Sequence, residues 1–393
     1  MIDFDKKISR YGTYSTQWDY VQDRFGEKNL LPFSISDMDF EIPFGTKEVL
    51  SQAVTKGVFG YTRWNHHDFK GAVSDWFAKR FHANIEEEWI SYSPSVIYSL
   101  SVFIQLLSKK NGKIVTLTPC YDAFFNVIKE NHRTLLSVSL QKKQQFSIDF
   151  IRLEECFKKE KPEIFLLCNP HNPTGRAFTM EELEQLIELC NRYQVAIVSD
   201  EIHMDILREG VNHIPILTLQ EKIKVPVVLL SSASKTFNSP GLGCSYAIVP
   251  DEGLRARFSS ILKGRDGLSS VPYLGMLALQ DCYNHQEQWL NELNHYVDEN
   301  FRQMLELLQE NRFITSYIPE ATYLAWLELT NLPVSMNELQ QVLVHQEKVA
   351  IMKGETYGIE GANYLRLNLG APREKIMDGT KRLLRAVNKV SQL

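Results

Sequence analysis

From about residue 95 to residue 250 the chain alternates between stretches of helical apolar spacing and short, nearly continuous apolar runs. That alternation is the pattern of parallel strands joined by crossover helices, and it constrains the fold more than any other feature. After Ser95, VIYSLSVFIQLLSKK crowds apolar residues at helical spacing, with Gly112 as its expected C-cap. KIVTLTP (113–119), EIFLLCNP (163–170), VAIVSDE (195–201), VVLLSSASK (227–235) and CSYAIVP (244–250) are too short for typical helices and read as core strands. Thr179 and Glu182 make a capping box whose helix continues through Leu183, Leu186, Ile187 and Leu189 to about Tyr193.

Beyond this α/β region the pattern changes. A long helical stretch rich in Leu and Glu runs from about Tyr273 to Asn311. Then come strand-like YIPEATYLAWLEL, a helix, VAIMK, YLRLNLG and a closing helix from Arg373 to about Val390, the signature of an α+β unit. The first 45 or so residues have no clear period and are expected to pack as an arm or strand against that unit.

Composition narrows the class. At roughly 150 residues per domain, 393 residues allow two or three domains, each able to bury its own core. A net charge of −5 lacks the basic footprint of a nucleic-acid binder. The N-terminus MIDFDKKISRYG has no signal-peptide apolar region and no run approaches the ~18 residues of a membrane span, so a cytoplasmic location is expected. Six scattered cysteines, with no C-x-x-C pair or Cys/His cluster, indicate neither a disulfide framework nor a metal site.

Ligands of open α/β sheets bind beyond the carboxyl ends of the strands, so those ends are where chemistry is sought. Neither G-x-G-x-x-G nor a P-loop follows any strand. Lys235 follows an apolar strand among Ser231, Ser232 and Ser234. Desolvation there would lower its pKa and favour imine formation with a carbonyl, although a solvated strand-end lysine is the commoner case. Asp200 ends VAIVSD and reads either as the partner of a pyridinium nitrogen or as a helix N-cap. NPHNPTG (169–175) holds two Asn-Pro steps, which fix an amide side chain rigidly at a strand end and exceed what a bare turn requires. Arg366, inside YLRLNLG, pairs either with an internal acid or with a ligand carboxylate.

In this order, N-P-x-N-P-T-G, D-E-x-H, S-x-S-K-T-F-N and R-L-N resemble the fold-type I enzymes that use pyridoxal 5′-phosphate (PLP), the aspartate-aminotransferase-like family. WDY (18–20), SDMDFEIP (36–43), FGYTRW (59–64), DEIHMDI (200–206), SKTFN (234–238) and LRLNLGAPR (365–373) are similar to the MalY/PatB subgroup of cystathionine and cysteine-S-conjugate β-lyases, over nearly the whole chain. The resemblance implies a large PLP-binding domain at 46–285 with a mostly parallel seven-stranded sheet, and a smaller α+β domain made of 1–45 and 286–393.

By that resemblance Lys235 is the Schiff-base lysine, Asp200 the carboxylate on the pyridine nitrogen, and Tyr121 the aromatic stacked on the cofactor ring. These three form the expected catalytic set. Asn172 is expected on the phenolic oxygen, with His203 where many aminotransferases have a tyrosine. Ser95, Val96 and Ile97 occupy the phosphate-loop position, with Ser232 and Ser234 beside it. Tyr61 is expected to cross a homodimer interface to the partner's phosphate site. Arg366 is the grip on the substrate carboxylate, and Ser36 and Asp37 line the substrate pocket. Two departures stand out. Position 243 is Gly where many aminotransferases carry a phosphate-binding arginine, and SPSVIY lacks the usual glycine of its loop. The implied reaction is β-elimination of cystathionine, cysteine or a cysteine S-conjugate to pyruvate, ammonia and a thiol. Amino transfer to a keto acid is the competing reading, because it shares the early steps. A regulatory PLP-binding module is disfavoured, since the family-like region begins near the N-terminus. The resemblance also implies cis peptide bonds before Pro119 and Pro173.

Overall fold

The computed structural model describes residues 2–142 and 145–392. Its main sheet has seven strands: β2 (Ile90–Ser93), β3 (Lys113–Thr118), β4 (Thr134–Ser139), β5 (Ile164–Cys168), β6 (Ala196–Asp200), β7 (Val227–Ser231) and β8 (Ser245–Ile248). Their spatial order is β2-β8-β7-β6-β5-β3-β4. Every residue of β5, β6 and β7 is buried, as expected of strands covered on both faces. The neighbours pair in parallel except around β8, which runs antiparallel to both β2 and β7. The apolar run 244–250 therefore forms a strand as expected, but of reversed direction, which strand composition does not encode. Its reversal brings residues 243–245 to the same sheet edge as the carboxyl ends of β5, β6 and β7.

The connecting helices largely follow the sequence pattern. Thr179 caps the helix Met180–Tyr193 with the expected reciprocal box to Glu182. The helix after Ser95, Val96–Leu107, lies against β6, β7 and β8 but stops earlier than Gly112. There Ser108 turns extended, its hydroxyl donates to Ile104 O (2.5 Å), and the Arg133 guanidinium donates to Ser108 O (2.6 Å). These side chains satisfy the terminal carbonyls, and no left-handed glycine is needed. Residues 233–236 leave β7 as a helical turn, so Lys235 sits on that turn rather than on a strand. The long helical stretch is two helices, Tyr273–His285 and Glu287–Leu308, broken at Gln286.

A second sheet, entirely antiparallel, has the order β12-β13-β10-β9, with β9 (Ile314–Thr315), β10 (Leu324–Leu329), β12 (Met352–Lys353) and β13 (Tyr364–Asn368). The strand-like stretch 317–329 delivers only β10. The early segment supplies β1 (Leu31–Pro32), which pairs in parallel with β11 (Val349–Ala350). The helix Arg373–Ser391 closes the chain against Glu287–Leu308. No described helix is long and apolar enough to cross a membrane.

Candidate active site

The carboxyl ends of the central strands converge on a cavity of about 190 Å³. Adjacent strand pairing sets Cys168 beside Asp200 and Asp200 beside Leu230, so the loops after β5, β6 and β7 face one another. Ser36, Ser95, Val96, Ile97, Tyr121, Asn172, Asp200, His203, Ser232, Ser234 and Lys235 all line it. So do Pro94 of the SPSVIY loop and Gly243, and also Cys168, Ile202, Pro240, Cys244 and Ser245, which the sequence does not single out. The peptide bonds before Pro119 and Pro173 are cis as expected, and so is that before Pro170.

One wall carries the titratable groups. Lys235 Nζ donates to Ser36 O at 2.5 Å. Burial pulls the amine down to about 8, against the opposing charges of Asp37 and Asp200 and with the help of Arg366. Asp200 ends β6, and its Oδ1 accepts from the Ile202 amide at 3.2 Å. Burial pushes its carboxyl up to about 7 even so, because the nearest cation offers too little compensation. His203 is held neutral by burial, down to about 3, with Lys235 and Arg366 adding to the shift. Its Nδ1 is buried with no hydrogen-bond partner.

Opposite lies a helix N-terminus. Ser95 caps Val96–Leu107 by accepting from the Tyr98 amide at 3.1 Å, and the first amides of the helix remain at the cavity edge. Such an end binds anions through its free N–H groups and the helix dipole. Ser232 caps the Lys235 turn and donates to Cys244 O at 2.7 Å, so its hydroxyl is engaged within the fold. Gly243 has φ +61°, a left-handed conformation unfavourable to a side chain, which accounts for glycine at this position. Tyr121 starts the helix Asp122–Glu130, and burial raises its hydroxyl pKa.

Arg366 enters from the second sheet through β13. Its Nη1 donates to Asn172 Oδ1 (3.0 Å), its Nη2 to Ser34 O (2.9 Å), and its guanidinium rests 4.5 Å from the Tyr357 ring centre. No carboxylate of the chain pairs with it among the described residues, and its Nε is buried without a partner. Of the two readings of this arginine, the internal ion pair is not realised.

Segment 34–40 closes the site and is held almost wholly by side chains far away in sequence. Asn238 Nδ2 donates to Met38 O and Phe40 O and its Oδ1 accepts from Met38 N. Asn368 Nδ2 donates to Ile35 O and Asp37 O, and Tyr323 Oη donates to Ser36 O at 2.9 Å. Arg10 bridges Asp37 (2.6 Å) and Asp39 (3.0 Å), and Lys375 reaches Asp39 at 2.5 Å. Asn238 and Asn368 belong to the quoted motifs SKTFN and LRLNLG, but neither had been assigned a task; Arg10 and Tyr323 carried no sequence signal. Behind the lysine, the fully buried Asp205 accepts from Thr236 (2.7 Å) and from Trp76 Nε1 (3.0 Å), fixing the turn that carries Lys235.

Tyr61 stands apart. It is fully exposed and lines a separate hollow of about 600 Å³ with Phe59, Leu242 and Tyr273, outside its own chain's cleft.

A model of the aminotransferase class I and II family matches residues 28–383. The chain is 42 % identical over 392 residues to Protein MalY of Escherichia coli, covering 99 % of this chain and 100 % of the relative. It is 35 % identical to cystathionine beta-lyase PatB of Bacillus subtilis, covering 98 % and 100 %. Among solved structures, cystalysin from Treponema denticola, which contains pyridoxal 5′-phosphate, superposes with a TM-score of 0.93 at 29 % identity and 99 % coverage of both chains. With a family match over most of its length and these strand-end loops gathered on one cleft, the chain belongs to the aminotransferase class I and II family.

Proposed function

We propose that this chain is a PLP-dependent carbon-sulfur β-lyase of the cystathionine β-lyase type. The observation that carries the reading is the convergence of Lys235, Asp200 and Asn172 on one cavity, with Arg366 bonded to Asn172 from the second sheet, in a chain similar end to end to a cystathionine β-lyase.

The residues fit the cofactor. A buried carboxyl pushed up to about 7 lacks a cation, which a protonated ring nitrogen supplies. The partnerless His203 Nδ1 and the Ser95–Ile97 helix end offer a ring-side contact and an anion site. All lining the cavity, Lys235 would be the covalent anchor, Asn172 and His203 would hold the ring substituents, Tyr121 would cover the ring, and Ser95, Val96, Ile97, Ser232 and Ser234 would receive the phosphate. Bound there, the cofactor supplies an electron sink for the carbanion at Cα.

The protein's own groups do the rest. Arg366, positioned by Asn172 and Ser34 O, grips the substrate carboxylate and orients the Cα–H bond. The Lys235 amine, pulled down to about 8, is a base of suitable strength near neutral pH and removes the Cα proton. The C–S bond then breaks, its electron pair leaving with sulfur, and hydrolysis gives pyruvate and ammonia. The thiol is homocysteine from cystathionine or hydrogen sulfide from cysteine. Two further elements complete the reading. Residues 46–285 form the cofactor-binding domain against a unit of 1–45 and 286–393. A homodimer brings Tyr61 to the partner's phosphate site, in keeping with the exposure of Phe44, Val58, Phe59 and Tyr61. Incubation with cystathionine in the absence of any keto acid tests the activity. Stoichiometric pyruvate and thiol are expected, whereas turnover only with an added keto acid would establish an aminotransferase.

A further inference from the structure

Two donors share one backbone acceptor in the cleft. Lys235 Nζ and Tyr323 Oη both donate to Ser36 O, at 2.5 and 2.9 Å. The flanking peptide is immobilised: Asn368 holds Ile35 O and Asp37 O, and Arg10 holds Asp37 Oδ2. Asp37 Oδ1 is buried and has no hydrogen-bond partner. Behind Asp37 the charges alternate through Arg10 and Asp39 to the buried Lys375, which locks the segment onto the closing helix. A rigid carbonyl is an acceptor for an ammonium, and the one that donates to Ser36 O is that of Lys235, on which the Asp37 carboxylate acts through its charge.

We infer that the Ser36–Asp37 peptide, fixed by Tyr323, Asn368 and Arg10, is a docking point for the protonated Lys235 and a determinant of elimination over amino transfer. The inference rests on the lyase reading and deepens it. Both reactions begin when the Cα–H bond breaks and its proton passes to Lys235 Nζ. In elimination the C–S bond breaks next, sulfur leaves with the electron pair, and the proton on Nζ neutralises the thiolate or passes to solvent. In amino transfer the same proton is handed back to carbon. An ammonium docked on Ser36 O and facing the Asp37 charge is slower to return its proton to carbon, which leaves time for the thiolate to depart. Tyr323, Asn368 and Arg10 are positioning residues in this scheme, since they act through the peptide. The charged groups acting on Lys235 are Asp37, Asp200 and Arg366, with neutral His203 close by. Of the two carboxylates, Asp37 acts on it more strongly.

Two variants of the holoenzyme test this, Tyr323→Phe and Asp37→Asn. The first readout is the ratio of pyruvate released to cofactor converted to its amine form, followed in one reaction with cystathionine. Each variant is expected to lower the ratio by about fivefold or more, the effect of losing one hydrogen bond that fixes the Ser36 carbonyl or one charge acting on the ammonium. The second is the pH midpoint of the visible absorption band of the resting holoenzyme. Asp37→Asn is expected to lower it by about one unit, because a negative charge near the protonated lysine nitrogen is lost; Tyr323→Phe leaves it nearly unchanged. A merely structural contribution would reduce both reactions together and leave ratio and midpoint as in the wild type, which overturns the inference. Should Asp37→Asn fail to fold, the ratio for Tyr323→Phe decides. If the wild type releases no pyruvate, the lyase reading is lost and the role in partition with it, while the midpoint still reports whether Asp37 faces the lysine.

Discussion

Asn172 Oδ1 accepts from Arg366 Nη1 at 3.0 Å, a bond that ties the loop after β5 to β13 of the second sheet across 194 residues of chain. The amide expected on the cofactor thus also orients the arginine expected on the substrate. On the proposed reading, cofactor and substrate recognition are coupled through one side chain.

This coupling separates two variants. Arg366→Ala is expected to lower kcat/KM by about 100-fold, mainly through KM, since a bidentate charge-assisted contact is lost. Cofactor affinity, measured by dialysis and absorbance, should change less than threefold. Asn172→Ala should weaken both. An unchanged KM in Arg366→Ala would remove it from the substrate site.

Asp200 links the cofactor to stability. Its folded pKa lies above the ordinary carboxyl value, at about 7, because it is buried. Cofactor-free protein therefore has the full benefit of the protonated form below about pH 4 and loses it as pH rises through 7. Asp200→Asn is expected to raise the Tm of the cofactor-free protein at pH 8 by roughly 2 °C or more, to do nothing of the kind at pH 4, and to lower kcat by at least about 100-fold. Calorimetry at the two pH values checks the sign; equal Tm changes at both would contradict it.

If Tyr61 serves the neighbouring subunit, two inactive proteins complement each other. Lys235→Ala is expected to lose the visible band and the activity, and Tyr61→Ala to bind the cofactor weakly. Mixed after unfolding and refolding together, they should recover about a quarter of wild-type activity, because half the dimers are hybrids with one intact site each. No recovery would mean that Tyr61 acts within its own chain, and full activity of Tyr61→Ala alone would mean that it takes no part.

Asn238 makes three hydrogen bonds to the backbone of segment 38–40. Its replacement by Ala leaves Met38 N and Phe40 O without a partner, while Met38 O keeps the Arg10 guanidinium, and is expected to cost about 2–4 kcal/mol. Denaturant unfolding of holoenzyme measures it; a loss under about 0.5 kcal/mol would show that water replaces the amide.

The central strands were legible because each is a short apolar run bounded by turn residues, and their carboxyl ends pointed to Lys235, Asp200 and Asn172 as positions worth weighing. Direction was not legible: β8 is a short buried run like the parallel strands of the sheet, and only the short link through residues 232–244 turns it round. Gly112 misled because a glycine after a helical run is a common cap, whereas Ser108 and Arg133 terminate this helix from elsewhere. The clasp on residues 34–40 was invisible for a related reason. Arg10, Tyr323 and Asn368 act on carbonyls far away in the chain, and a sequence read in local windows has no term for such contacts.

Arg366 reaches Ser34 O across 332 residues, and β1 pairs with β11 near the far end of the chain. On the ribosome, the turn that carries Lys235 and the strand that carries Asp200 emerge long before β13 does. Until Arg366 is synthesised, the proposed substrate grip and one anchor of residues 34–40 are missing together. On the proposed reading, an unfinished chain has no arginine to present an amino acid to the lysine until the final strand is in place.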